Sequence, residues 1–284
     1  MPLVGTGPLA DTAAAERRGL GAFNVVDLDH ITAIVTAAER AETPVVLQIS
    51  ENTVRYHGAL RPLATAALSA AEAAGVEVSV HLDHATSPAL VEEAVAMGVP
   101  SVMYDASALP YAENVAATAA LVERCHRHGV WVEAELGEIG GKDGVHAPGA
   151  RTDPAEAAAF VAATGVDALA VAVGTSHAML TRDVVLDFVL IRELCATVPV
   201  PLVLHGSSGV GDADLAEAVA CGMTKINIST HLNALFTRAV RAELETGAPS
   251  VDPRRYLGAG RTAVTAETAR LLRLLGETPV SARR

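Results

Sequence analysis

Several apolar runs in this chain end in histidines and carboxylates, a placement that suits metal-assisted acid–base chemistry. The run "VSVHLDHATS" (78–87) ends in His81, Asp83 and His84. Other runs end similarly. Asp105 closes "SVMYDA" (101–106), Glu135 lies in "VWVEAEL" (130–136), and His177 follows "ALAVAVG" (168–174). His205 lies in "PLVLHG" (201–206), and an eighth run passes into "NIST" (227–230). Each has an ordinary explanation alone, because a strand-end aspartate often caps a helix and a lone histidine is more often packed than ligating. The conjunction of His84, His177 and His205 with Asp83, Asp105 and Glu135 carries the reading. Imidazole suits zinc, and three protein ligands around an open position form the catalytic arrangement. A carboxylate beside such an ion is placed to move a proton.

These residues converge only if the runs are neighbouring strands. Short β-branched runs alternate with longer Ala/Leu/Glu-rich stretches of helical period. Strands are expected at 22–26, 44–50, 78–84, 101–106, 130–136, 168–174, 201–206 and 225–230. Helical patterns lie between them, among them 29–41, 60–75 and 87–98, the last with Ser87 as cap, Pro88 at the first turn and Gly98 as stop. Several strands are almost continuously apolar, as parallel strands covered on both faces are. Eight such units predict an α/β protein with a single (β/α)8 barrel over residues 1–284, and an open doubly wound sheet is the alternative. A C-terminal helical segment is expected near 253–276. The long loop "GEIGGKDGVHAPGART" (137–152) after the fifth strand reads as a lid over the active face.

Composition narrows the function. The net charge is −12 and the only lysines are Lys142 and Lys225, which argues against nucleic acid or an anionic membrane as partner. No stretch approaches a membrane span and no secretory leader is read, so a cytoplasmic location is expected. Cys125, Cys195 and Cys221 fall in helical patterns without metal-like spacing and read as buried, reduced thiols.

The other seven histidines are weaker candidates. His126 and His128 suit a helix C-terminus. His30 and His231 begin helical runs and read as polar surface, while His57 and His146 lie in loops. His81 lies two residues before Asp83, on the same side of its strand, and reads as support for that carboxylate or as barrel filling.

"HGSSGVG" (205–211) places Gly206, Ser207, Ser208 and Gly209 just past the seventh strand, where backbone N–H groups and hydroxyls can cradle a phosphate. Asn227, Ile228, Ser229 and Thr230 add donors after the eighth, and the loops after strands seven and eight are the usual phosphate site of such barrels. A tight turn with an ordinary Ser/Thr cap is the plainer explanation. "VGTGPLA" and "GGKDG" satisfy neither the dinucleotide fingerprint nor the P-loop.

Taken together, "AFNV" (22–25), "HLDHAT" (81–86), "SVMYDAS" (101–107), "VEAELGEIGG" (132–141), "AVAVGTSH" (170–177), "PLVLHGSSG" (201–209), "KINIST" (225–230) and "DPRRYL" (252–257) resemble the class II, zinc-dependent ketose-bisphosphate aldolases. The likeness is to the fructose- and tagatose-bisphosphate branch and covers nearly the whole chain. The resemblance implies that His84, His177 and His205 hold a catalytic zinc, and that Asp83 donates and accepts the proton. It puts Asp105 and Glu135 at a second metal position. Gly206 to Gly209 and Asn227 to Thr230 would bind the dihydroxyacetone phosphate half. Asn24 and Ser50 would be further substrate contacts, with Arg254 on a distal phosphate. A monovalent cation (Na+ or K+) near the phosphate and a homodimer or homotetramer are implied as well.

Two features depart from the family pattern. "GTSHA" carries Ala178 where the family has glycine next to the substrate, and the lid is short, so that either Asp143 replaces the lid glutamate that removes the carbon-bound proton or the base lies elsewhere. Two rival readings remain open. A Schiff-base aldolase needs a strand-end lysine, whereas Lys225 is expected at the opposite rim and Lys142 in the lid. A non-catalytic sugar-phosphate-binding relative would share the residues without turnover. Within the aldolases, the acceptor aldehyde stays open between fructose type, tagatose type and a non-phosphorylated partner.

Overall fold

The computed structural model describes residues 2–136, 151–175, 181–246 and 251–277. Eight parallel strands close into a barrel in chain order, with the first pairing to the eighth. They are β1 Leu20–Asn24, β2 Val45–Ser50, β3 Val78–Ala85, β4 Ser101–Tyr104, β5 Trp131–Leu136, β6 Ala168–Val171, β7 Leu202–Leu204 and β8 Met223–Ile228. Helices follow the strands on the outside, and the 24-residue helix Pro253–Gly276 packs on the helix Leu28–Ala41 and on the helix Thr230–Leu244.

The alternation of side chains separates two interiors. Val45, Leu47 and Ile49 of β2, and Val78, Val80 and Leu82 of β3, join the large apolar layer under the helices. The intervening residues face the barrel axis, where space is small. There the lower end is closed by Leu20, Ala22 and Val46 packed with Leu9, Ala10 and Ala13 of the helix Thr6–Glu16. On the β6–β7 side the filling is Ala168, Ala170, Ala172 and Val203. The rest of the axis is polar and fully buried, with Gln48, Ser79, His81, Ser101, Glu133, His205 and Lys225.

Several sequence expectations are corrected here. The helix Thr6–Glu16 is an element the sequence reading did not include. Lys225 does not stand at the opposite rim. β8 begins two residues earlier, at Met223, so Lys225 lies inside the barrel and is fully buried. His30 is buried as well, stacked on Phe236, and Cys195 is exposed. Among the described residues, no helix is long and apolar enough to cross a membrane.

β8 depends on the glycine that launches it. Gly222 has φ of 122°, and a Cβ there would sit 2.6 Å from the Cβ of Cys195. Gly222→Ala combines this clash with backbone strain and is expected to cost about 2–3 kcal/mol. The unfolding temperature measured by calorimetry should fall by about 4–12 °C.

Candidate metal centre and active site

The site begins with a break in the pleat of β3. Strict alternation would send Asp83 and His84 to opposite faces. The β3–β4 register shifts between Leu82 and Ala85, and His84 takes φ of 50°, a left-handed conformation uncommon for a non-glycine residue. The kink turns both neighbouring side chains toward the upper end of the barrel. His84 Nε2 lies 4.0 Å from Asp83 Oδ1, and its Nδ1 lies 3.2 Å from Asp105 Oδ2 and 4.0 Å from Glu135 Oε2.

β5 and β7 complete the group. The spacing of Glu133 and Glu135 puts both carboxylates on the inner face of one strand, and His205 enters between them. Its Nε2 bonds Glu133 Oε1 at 2.9 Å, and its Nδ1 meets Glu135 Oε2 at 3.1 Å. His84, Glu135 and His205 each offer a ligand atom, all within 4.8 Å of one another. Two imidazoles and a carboxylate converging at that separation form a donor set that fits a divalent transition metal. Asp105 adjoins the set and is itself held by Ser107, whose hydroxyl and backbone N–H both donate to Oδ1. His177, Ala178 and Asp143 lie outside the described residues.

Asp83 is deeply buried next to this set. Its Oδ2 accepts from Asn24 Nδ2 at 2.8 Å, and its Oδ1 has no hydrogen-bond partner among the described residues. Burial disfavours its charge. The surrounding His84, Lys225, His205 and His81 outweigh burial and hold the carboxyl well below the usual carboxylate range. His205 shows the complementary behaviour. Burial opposes its charge too, yet its bonds to Glu133 and Glu135 raise the imidazole to about 9. In the metal-free state a proton therefore occupies ground that a cation can take over.

Beneath the rim the polar residues form a column. Thr6 Oγ1 bonds Ser79 and Ser101, and Ser101 bonds His81 Nδ1. His81 Nε2 then faces Glu133 Oε2 at 3.9 Å. Burial and the Lys225 charge push His81 down to about 3, so it is a neutral ring. Glu133 Oε2 in turn accepts from Lys225 Nζ at 2.8 Å. Glu133, Gln48 and Lys225 were not singled out as site residues from sequence. The only signal for them was a charged or amide residue at even spacing from a rim residue: Glu133 from Glu135, Lys225 from Asn227, Gln48 from Ser50.

The loops after β7 and β8 are joined. Gly206 takes φ of 67° and opens a short 3₁₀ turn over Ser207–Gly209. Ser208 Oγ accepts from the backbone N–H of Ser229 and of His231, at the start of the helix Thr230–Leu244. Asn227 stands at the end of β8 with its Oδ1 on Lys225, while the Ile228 side chain is in the outer core. Ser50 caps the helix Glu51–His57. Arg254 is not gathered in. Its guanidinium is exposed and lies on Asp252, the cap of its own helix.

Residues 4–279 match the family described as fructose-bisphosphate aldolase class-II. The chain is 40% identical over 268 residues to a Bacillus subtilis (strain 168) protein named "Probable fructose-bisphosphate aldolase", covering 93% of this chain and 94% of that one. The crystal structure of the YdjI aldolase from Escherichia coli K12 superposes with a TM-score of 0.84, at 31% identity over 98% of each chain. A fructose-bisphosphate aldolase from Campylobacter jejuni superposes at 0.79, with 25% identity over 96% of this chain and 95% of that one. The closed barrel, the convergent donor set and these likenesses agree, and the chain belongs to the class II fructose-bisphosphate aldolase family, a generally metal-dependent family, and is an aldolase by reaction and a lyase by class.

Proposed function

We propose that the chain is a zinc-dependent aldolase that makes or cleaves a ketose 1,6-bisphosphate, of fructose or tagatose type, from dihydroxyacetone phosphate and an aldehyde such as glyceraldehyde 3-phosphate. The observation that carries the reading is the buried Oδ1 of Asp83, which has no hydrogen-bond partner among the described residues and lies beside the ligand atoms of His84, Glu135 and His205. An ionised carboxylate oxygen there is an acceptor for a substrate hydroxyl.

In this reading His84 and His205, with His177 as the third histidine, hold the zinc, and Glu135 and Asp105 supply the alternative position. Zinc bound there would supply Lewis acidity to the ketone and hydroxyl oxygens of the substrate. Asp83 takes the C4 hydroxyl proton in cleavage and returns it to the aldehyde oxygen in condensation. Asn24 holds the carboxylate at Oδ2, which leaves Oδ1 available to the reacting oxygen. Gly206 to Gly209 and Asn227 to Thr230 orient the donor phosphate, so alignment precedes bond making. Asp143 is assigned the carbon-bound proton. A monovalent cation near the phosphate, a dimer or tetramer, and a cytoplasmic location complete the reading by likeness to the family.

The Schiff-base alternative requires a free amine. Lys225 Nζ is instead engaged by Glu133 and Asn227, which speaks against it. Incubating the zinc-loaded protein with dihydroxyacetone phosphate and a panel of aldehydes, with product stereochemistry determined, tests the proposal. Condensation is expected with glyceraldehyde 3-phosphate. No product with any aldehyde, or a borohydride-trapped covalent adduct, overturns it.

A further inference from the structure

We infer that Lys225 is a positioning residue shared by the two halves of the site, setting the tautomer of a metal-ligating histidine through Glu133 and the orientation of the Asn227 amide directly. The inference rests on the reading given under Proposed function. Lys225 is fully buried on β8, and its ammonium has two hydrogen-bond partners, Glu133 Oε2 at 2.8 Å and Asn227 Oδ1 at 2.9 Å. A buried ion pair is costly, and the pair as a whole is often replaceable by apolar residues of similar volume without loss of stability. A simple internal ion pair would therefore need only Glu133. The second branch, to Asn227, is what calls for another explanation.

Each branch removes one ambiguity. Glu133 is used at both oxygens, with Oε2 on the ammonium and Oε1 on His205 Nε2 at 2.9 Å. With one oxygen anchored by Lys225, the other is aimed at the ring. His205 Nε2–H then donates to it, which leaves Nδ1, the nitrogen beside Glu135, as the metal-binding atom. An ammonium has donors only, so the Asn227 side chain must present its oxygen to it. The Nδ2 group then points away from Lys225, with no hydrogen-bond partner among the described residues, and is presented as a donor at the end of β8. One charge thus fixes a metal ligand on β7 and a substrate donor on β8.

Two double-mutant cycles with separate readouts test this. Zinc affinity is measured on the metal-stripped protein by competition with a chelator. Dihydroxyacetone phosphate binding is measured by calorimetry at saturating zinc. Lys225→Met is expected to weaken zinc binding about 10- to 100-fold, as loss of an outer partner of a metal ligand does, and to weaken dihydroxyacetone phosphate binding about tenfold. In the Glu133→Gln background the zinc effect disappears and the donor effect persists. In the Asn227→Ala background the donor effect disappears and the zinc effect persists.

General loosening of the fold would carry both losses into both backgrounds, and that outcome overturns the inference. So does either affinity staying within about twofold of wild type in Lys225→Met, given the predicted losses. If thermal unfolding shows that Lys225→Met does not fold, Lys225→Gln, which removes the charge but keeps an N–H donor, goes through the same cycles. Failure of the wild-type protein to bind zinc or dihydroxyacetone phosphate is a different result and overturns the underlying reading.

Discussion

Asp83→Ala lowers turnover by about 10²- to 10⁴-fold, the usual weight of a positioned acid–base group, while zinc still binds. The expectation follows from how the two oxygens of Asp83 are used. Oδ2 is occupied by Asn24 Nδ2, and Oδ1 is buried with no hydrogen-bond partner among the described residues. A buried carboxylate oxygen left unpaired is expensive unless a bound substrate completes it. The carboxyl is held ionised because the charges of His84, Lys225, His205 and His81 outweigh the burial that opposes them. It is therefore an acceptor at neutral pH. The candidate metal donors are on His84, Glu135 and His205, so removing Asp83 leaves that set whole. Asp83→Asn keeps the volume and cannot take a proton, so it should lose turnover equally. In both variants kcat should fall far more than KM changes, because the proton transfer itself is lost while the other substrate contacts remain. A variant that keeps more than about a tenth of wild-type turnover, against the loss a proton carrier brings, would remove Asp83 from that role. Loss of zinc binding along with turnover would do the same.

Much of this architecture was legible in the chain. The strands were found because β-branched runs bounded by Gly, Pro and polar residues report burial on both faces, a local property. Barrel closure followed from their number. What was not legible depends on direction. Nothing in "HLDHAT" announces that His84 adopts a left-handed backbone, yet only that kink brings adjacent residues 83 and 84 to the same site. Lys225 was misplaced because the eighth strand was started at residue 225, whereas Met223 and Thr224 are the first residues of β8. The helix Thr6–Glu16 buries Thr6, Leu9, Ala10 and Ala13, which are mostly small, and its Gly5 cap makes no side-chain hydrogen bond. Neither an apolar stripe nor a cap residue marked it. The inner polar column was hidden for a related reason, since Gln48 and Glu133 sit in apolar runs whose period shows two faces without saying which one is the axis.

Stripping the divalent metal is expected to abolish turnover, with zinc or cobalt restoring it, and to lower the unfolding temperature substantially. The donor set explains why. Asp83, Asp105, Glu133 and Glu135 are all buried near one another, around His84 and His205. Buried carboxylates so placed need positive charge. Lys225 serves Glu133 from below, and a bound cation would serve the upper group. A ligand held at 1,000 times its Kd stabilises the native state by about 4 kcal/mol. At about 2–4 °C for each kcal/mol in a chain approaching this size, the midpoint should fall by about 8–16 °C on chelation.

The size of that fall should depend on pH. In the metal-free protein His205 is raised from 6.5 to about 9, so its protonated form contributes stability that is fully present below pH 6.5 and is lost as pH rises through about 9. Zinc binding displaces that proton and strengthens over the same interval. The gap between zinc-loaded and stripped midpoints should therefore be wider at pH 8.5 than at pH 6.5. Scanning calorimetry of both forms at the two pH values measures it. Full turnover in the stripped protein would exclude metal dependence. A gap that narrows with rising pH would mean that the metal does not replace a proton on His205.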